Sequence, residues 1–382
     1  MDSQALLDLT REALGALLAG WGEPRYRADQ VWGWLYRRLA TDPAQMTNLP
    51  GSLRQRLSAE AVIDPLRLIH EQRSTDGQTI KWLFRLYDGL TIETVLMLYA
   101  EAGGSGGDRR TACISTQAGC GMGCVFCATG QAGLARNLSS GEIVAQALFA
   151  ARWLAAPPQP DLEGLERPSR SLRALTNVVV MGMGEPLANY DRTWQALRTI
   201  TDAEGFGLGA RHITLSTVGL VPGIRQMATE GLQVNLAVSL HAANDDLRTS
   251  LAPINHRYPV RDVMAAVQEY VEHTHRRVTF EYALMRDVND SPAQARELAR
   301  LLRGLLCHVN LIPLNPVSGS PYQPSSPERA SAFQAILERE GIPTTMRQRR
   351  GIDIDAGCGQ LRRRMTLAGD SQAGEAPAPS AG

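Results

Sequence analysis

Long apolar runs are absent from this chain. No stretch of its 382 residues reaches the ~18 uninterrupted apolar residues that cross a bilayer, so no membrane span and no membrane partner is expected. Net charge is absent too. Lys and Arg total 39 and Asp and Glu total 39, so bulk charge offers no argument for a nucleic-acid partner, and any such surface has to be a local patch. The opening residues, MDSQALLDLTREALGALLAG, lack the basic n-region of a signal peptide and read as an amphipathic helix; the expected location is cytoplasmic. Cysteine is scarce. Three of the six cysteines fall within eight residues, which suits a metal site in a reducing compartment better than a disulfide framework.

What remains is the composition of an ordinary globular protein, 44% hydrophobic and 20% charged, in a chain long enough for one large catalytic domain and a smaller appendage. Residues 1–100 read as a leading module. It begins with helical patterns, among them Asp29 to Leu39, and ends in a strand-like stretch from Thr79 to Met97. EAGGSGGD at 101–108 is a flexible, glycine-rich linker. From 109 to 367 apolar strand-like runs alternate with helical stretches: TACIS, NVVVMGMG, HITLSTVG, VNLAVSLH, VTFEYALM and HVNLIPLN. Repeated β-then-α units imply a parallel α/β sheet, open or curled into a barrel. Glu185, Ser216, His241 and Asn315 stand at or just past the C-terminal ends of these runs, the rim where such folds bind ligands. A proline-rich surface loop at 155–170 interrupts the first crossover, and the low-complexity tail at 368–382 is expected to be disordered.

The segment CISTQAGCGMGCVFCATG spaces Cys120, Cys124 and Cys127 as C-x3-C-x2-C on a glycine-rich loop after the first of these strands. Iron–sulfur clusters normally take four cysteine ligands; three leave one iron open to substrate atoms. S-adenosylmethionine (SAM) can chelate such an iron through its amino and carboxylate groups. The competing reading is a structural zinc site with Cys113 or Cys358 as the fourth thiolate. Phe126, between the last two ligands, resembles the aromatic that commonly occupies that place in radical SAM enzymes.

Over nearly its whole length the chain resembles a known family, the RlmN and Cfr adenosine methyltransferases of large-subunit ribosomal RNA. Besides the cluster motif, the resemblance rests on RNLSSGEIVAQ, VVVMGMGEPLANY, ITLSTVGLVPGI, LAVSLHAAND, LIPLNPV and RRGIDIDAGCGQL. It implies a partial (β/α)6 radical SAM barrel with a small N-terminal helical accessory domain implicated in RNA binding. It implies one [4Fe-4S] cluster, and two SAM per turnover serving as methyl donor and radical source. It also implies 23S rRNA as substrate, transfer RNA as well in some RlmN members, and an electron donor such as flavodoxin or ferredoxin. A monomer is expected, because the fold requires no partner chain.

Carbon 2 of adenine lies between two ring nitrogens and is too electron-poor to attack a SAM methyl, whereas a carbon radical adds to it readily; the cofactor supplies that chemistry and the protein supplies placement. The resemblance implies that Cys358 first takes a methyl group from SAM. A 5′-deoxyadenosyl radical then abstracts hydrogen from that S-methyl, and the resulting carbon radical adds to the base. It further implies that Cys113 releases the RNA by forming a disulfide with Cys358, and that Glu93 accepts the proton lost from the ring. Arg349 and Arg350 stand near enough in sequence to depress the Cys358 pKa. For SAM the resemblance implies contacts from Gly184, Glu185, Ser216, Ser239, Leu240, His241 and Asn315. Taken alone, Cys113 reads as a buried small hydrophobe, Glu93 as a solvated carboxylate and His241 as a strand-end histidine; Cys307 matches no functional position and stays a core residue.

RYRADQVWGWLYRR, at 25–38, alternates arginines with Trp32, Trp34 and Tyr36. It is either an RNA-stacking surface or an amphipathic helix with core aromatics, and the pattern alone slightly favours the helix. Arg347, Arg349 and Arg350, with Arg362 to Arg364, concentrate charge around Cys358, where an RNA backbone is expected to pass. The same motifs serve carbon-8 methylation, and a non-catalytic RNA-binding protein with a structural metal is the alternative from another class.

Overall fold

A computed structural model of the chain describes residues 4–99, 109–156, 175–315, 320–347 and 352–354. Cys358, the linker at 101–108, most of the proline-rich stretch and the tail lie outside the described residues.

The leading residues form β1 (Gln4–Ala5), α1 (Arg11–Gly20), α2 (Tyr26–Tyr36), α3 (Gly51–Glu60) and β2 (Ala61–Val62), with β1 and β2 paired parallel. The Thr10 hydroxyl caps α1 by accepting from the Ala13 N–H. Leu14 and Leu18 on α1, and Val31, Trp32, Leu35 and Tyr36 on α2, recur at helical spacing and turn one face of each helix into the core. The helix expected over 29–39 is therefore α2, which begins earlier, at Tyr26.

Next come β3 (Arg67–Arg73), β4 (Thr79–Arg85) and β5 (Thr91–Tyr99), an antiparallel meander. The strand-like stretch at 79–97 is thus a hairpin. Its turn carries Asp88-Gly89, with Gly89 at φ 83°, the left-handed backbone that such turns demand. The expected β/α alternation follows: β6 (Arg109–Cys113), the short hairpin of β7 (Gln117–Gly119) and β8 (Leu134–Asn137) flanking α4 (Ala128–Gln131), then α5 (Ser140–Ala155) and β9 (Asn177–Val180). After it run α6 (Tyr190–Thr201), β10 (Ile213–Thr217), α7 (Val221–Thr229), β11 (Asn235–Ser239), α8 (Asp245–Leu251) and α9 (Val260–Thr274). The last elements are β12 (Val278–Leu284), α10 (Pro292–Leu302), β13 (Cys307–Pro313), α11 (Pro327–Arg339) and β14 (Thr344–Met346).

One open sheet runs β14-β13-β12-β11-β10-β9-β6-β5-β4-β3. Strands β6 and β9 to β13 are the six parallel strands read from the sequence, paired in the order that a partial (β/α)6 barrel requires. Two features extend it. A short parallel strand, β14, adds to β13, and β5 pairs antiparallel with β6, so the meander continues the barrel's sheet. The central strands β11 and β12 are buried almost throughout, which explains their near-continuous apolar runs, whereas β9, β10 and β13 alternate buried and half-buried residues. Crossover helices start at side-chain caps: Ser139 with Glu142 on α5 and Ser291 with Gln294 on α10 form reciprocal capping boxes. Leading-module side chains such as Leu7, Leu14 and Trp32 share one hydrophobic core with barrel residues such as Val144 and Leu197. Among the described residues, no helix is long and apolar enough to cross a membrane.

Candidate active site

A cavity of about 370 Å³ opens at the C-terminal ends of the parallel strands. Cys120, Cys124 and Cys127 all line it, half-buried, on the loop between β7 and α4. That loop needs its glycines. A Cβ on Gly119, at φ +87°, would lie 2.1 Å from the Gly133 carbonyl oxygen, which accepts from the Cys120 N–H at 2.9 Å. Further along, the Val125 N–H donates to the Leu251 carbonyl of α8 at 3.1 Å, pinning the loop to the next layer.

Burial first, and then the neighbouring Cys127, push Cys120 to about 11 and Cys124 to about 12. Crowded thiols in a low-dielectric wall resist ionisation; a cationic iron centre would reverse that balance, so the donor set suits an iron–sulfur cluster. Among the described residues, no three Cys, His, Asp or Glu side chains form a group that one metal ion could occupy.

Opposite the thiols, Gly184, Glu185, Ser216, Ser239, His241 and Asn315 line the same cavity. Glu185 is buried and accepts from the main-chain N–H groups of Leu187 at 3.0 Å and Val218 at 2.8 Å. Burial raises it to about 7 against those hydrogen bonds. Gly184 has a reason the sequence did not suggest: at φ +105°, its Cβ would fall 2.6 Å from the Gln117 side chain, so close packing against β7 excludes a side chain there. The Ser216 and Ser239 hydroxyls are 3.3 Å apart across β10 and β11.

His241 sits at φ 61° and receives a hydrogen bond at Nδ1 from the Ala283 N–H at 3.0 Å, which leaves Nε2 to carry the ring proton. Burial, aided by Arg248, holds it neutral, down to about 3. Phe126 meets its ring edge-to-face at 4.8 Å, joining the cluster loop to the strand-end histidine. Leu240 points elsewhere: its side chain is core, and its N–H donates to the Glu281 carbonyl.

Cys113, at the end of β6, also lines the cavity. Burial pushes it up to about 11, opposed by Arg347 and reinforced by Glu93. Glu93 is buried on β5, on the same face as Val95 and Met97, which line the cavity. The solvated reading of this carboxylate is therefore wrong. Cys358 lies outside the described residues, as do Arg349, Arg350 and Arg362 to Arg364. Cys307 is buried in the core, as expected.

Glu281 and Arg347 are cavity residues that the motif reading missed or treated only as surface charge. Asn310 donates to Glu281 at 2.8 Å, and burial raises the Glu281 pKa. A lone carboxylate inside VTFEYALM, otherwise a buried strand, was the available signal.

The aromatic stretch at 25–38 divides. Trp32 and Tyr36 are buried, and the Trp32 indole N–H donates to Asp202 at 2.8 Å, docking α2 on the barrel. Trp34 stays half-exposed beneath the Arg38 guanidinium, 4.2 Å from its ring centre. The core-helix reading thus holds for two of the three rings.

Residues 4–63 match the family model described as the ribosomal RNA large subunit methyltransferase N-terminal domain, and residues 114–299 match the radical SAM superfamily. The chain is 52% identical, over 99% of its length and 98% of the relative's, to a Chloroflexus aurantiacus protein named "Probable dual-specificity RNA methyltransferase RlmN". A Myxococcus xanthus protein named "Dual-specificity RNA methyltransferase RlmN 1" is 50% identical over 94% of each chain. A radical SAM methyltransferase from Sphaerobacter thermophilus, known by crystal structure, superimposes with a TM-score of 0.86 at 52% identity, covering 94% of this chain and 98% of that one.

Proposed function

The chain belongs to the RlmN family of radical SAM RNA methyltransferases, and from that premise we propose that it methylates carbon 2 of an adenosine in 23S ribosomal RNA, and of the adenosine 3′ of the anticodon in transfer RNA. The enzyme uses a [4Fe-4S] cluster and SAM. In this reading Cys120, Cys124 and Cys127 hold the cluster, which supplies the electron that cleaves SAM. A flavodoxin or ferredoxin supplies that electron in turn.

The observation that carries the reading is the shared cavity. Three clustered thiols, a fourth thiol at Cys113, the Glu185 carboxylate and the neutral His241 all open on one space of about 370 Å³. Glu185 suits the methionyl ammonium of SAM: it is a buried carboxylate held by main-chain N–H groups. His241 offers an Nε2 proton, and the Ser216, Ser239 and Asn315 side chains offer further hydrogen bonds. Gly184 contributes main chain to the wall, and Leu240 holds the strand end that carries His241.

Cys358 carries the methyl group as S-methylcysteine, two SAM are consumed per turnover, Glu93 receives the ring proton, and the Cys113 thiolate attacks the Cys358 sulfur to free the RNA. The leading module, with the half-exposed Trp34 on α2 and the exposed Arg38 just beyond it, takes the RNA.

The test is anaerobic reconstitution with iron and sulfide, turnover on RNA, and mass spectrometry of the digested nucleosides. 2-Methyladenosine is expected, together with two SAM consumed per methyl. An 8-methyl product would overturn the carbon-2 assignment. Cys358→Ala should abolish methylation, and Cys113→Ala should accumulate an RNA–protein adduct; normal turnover in either variant would remove that residue's role.

A further inference from the structure

Among the 39 Lys and Arg residues of this chain, Lys81 is the sole lysine. It is also fully buried, an unusual place for an amine. It lies in the middle of β4 with its Nζ 3.8 Å from Oε1 of Glu93, and the two side chains are 0% and 5% exposed. In the β4–β5 register Lys81 is opposite Val95, and Glu93 is opposite Leu83, so ammonium and carboxylate are diagonal neighbours on one face. That face looks toward the reaction cavity: Thr79, two residues before Lys81, and Val95, two residues after Glu93, both line it. Val95 is in turn opposite Cys113 across β5 and β6.

A buried charge is costly unless it is paired, and a lone carboxylate in this wall would take up a proton. Arginine serves at every other Lys/Arg position of the chain. Lysine is a compact point charge on a flexible stem.

We propose that Lys81 is the positioning residue of Glu93, keeping its carboxylate ionised and fixed on the cavity side so that it can receive the proton leaving the RNA base. The inference rests on the proton-accepting role proposed for Glu93. The proton leaves the ring carbon for a Glu93 oxygen, the electron pair stays in the ring, and Lys81 remains an ammonium throughout. Lys81 from β4 lies beside Glu93, Cys113 from β6 interacts with it electrostatically, and Arg347, just past β14, acts on Cys113 in turn.

The experiment is the pH profile of RNA methylation by the reconstituted enzyme under single-turnover conditions, for the wild type, Lys81→Met and Lys81→Arg. Without the cation the carboxylate holds its proton to higher pH, so the acid limb of Lys81→Met should move upward by about one unit or more, tenfold in the ionised fraction. The limb of Lys81→Arg, which keeps the charge, should stay at the wild-type position with a lower plateau. An unmoved limb in the Met variant, or an Arg limb displaced upward, overturns the proposal; if the Met variant does not fold, the Arg limb decides alone. Glu93→Gln separates the two layers. A Gln variant that still methylates overturns the role of Glu93 itself, whereas an inactive Gln variant beside an unmoved Met limb overturns only the assignment of Lys81.

Discussion

Asp353 accepts hydrogen bonds from both the main-chain N–H and the hydroxyl of Thr75, at 2.6 and 2.5 Å. The contact ties the stretch just before Cys358 to the turn between β3 and β4, whose following residue Thr79 lines the cavity. Cys358 follows Asp353 by five residues, and a chain advances at most ~3.3–3.6 Å per residue, so this anchor bounds how far the thiol can range.

Releasing that anchor should therefore uncouple the reaction. Asp353→Ala is expected to lower RNA methylation on the order of tenfold, within the range that small misplacements cost, while reductive cleavage of SAM continues. Quantifying 5′-deoxyadenosine and methylated RNA in one assay checks it. Asp353→Asn keeps an acceptor for Thr75 and should recover part of the loss.

Removal of Arg248 should disturb the SAM end of the cavity. Its guanidinium is fully buried and donates to the carbonyls of Leu240 at 3.3 Å and Tyr258 at 3.3 Å, to the Asn255 side chain at 2.7 Å and to the Val218 carbonyl. The Val218 and Leu240 carbonyls belong to the loops after β10 and β11, beside Glu185 and His241, and the Tyr258 carbonyl to the connection between α8 and α9. Arg248→Met leaves several acceptors unpaired and should cost about 3 kcal/mol or more. Denaturant melts and SAM binding by calorimetry, measured together, should both fall.

Trp32→Phe tests how α2 is held. The ring stays apolar but loses its hydrogen bond to Asp202, so unfolding stability should drop by about 1–2 kcal/mol. RNA affinity of the folded variant should be unchanged. A large selective loss of RNA binding, measured by filter retention, would instead make Trp32 a stacking residue.

SAM protection should depend on pH through Glu185. Burial raises this carboxyl to about 7, above its unfolded value, so its contribution to stability is present in acid and lost as pH rises toward about 7. An ammonium ligand favours the ionised form, so the thermal stabilisation given by SAM to the cluster-loaded protein should be larger at about pH 8 than at about pH 6. In Glu185→Gln that difference should disappear.

Much of this was legible in one dimension. The C-x3-C-x2-C spacing and the six apolar runs are local signals, since each depends on residues a few positions apart. They identified the thiol loop and the parallel strands, while the helical pattern read at 29–39 proved to begin earlier, at Tyr26. The leading meander was harder to read, because its strands join the barrel only through the β5–β6 register.

Sequence by itself determined the spacing of the three loop thiols and the succession of parallel strands along the chain, because spacing and periodicity are properties of the chain. Tertiary structure alone decided which polar residues meet. Strand register brings Cys113 beside Val95 and sets Lys81 against Glu93, and Glu281 and Arg347 enter the cavity only when β12 and β14 take their places in the sheet. Burial made the final distinction. It turned Trp32 inward and left Trp34 half-exposed, a difference between positions two apart that depends on the face against which α2 packs.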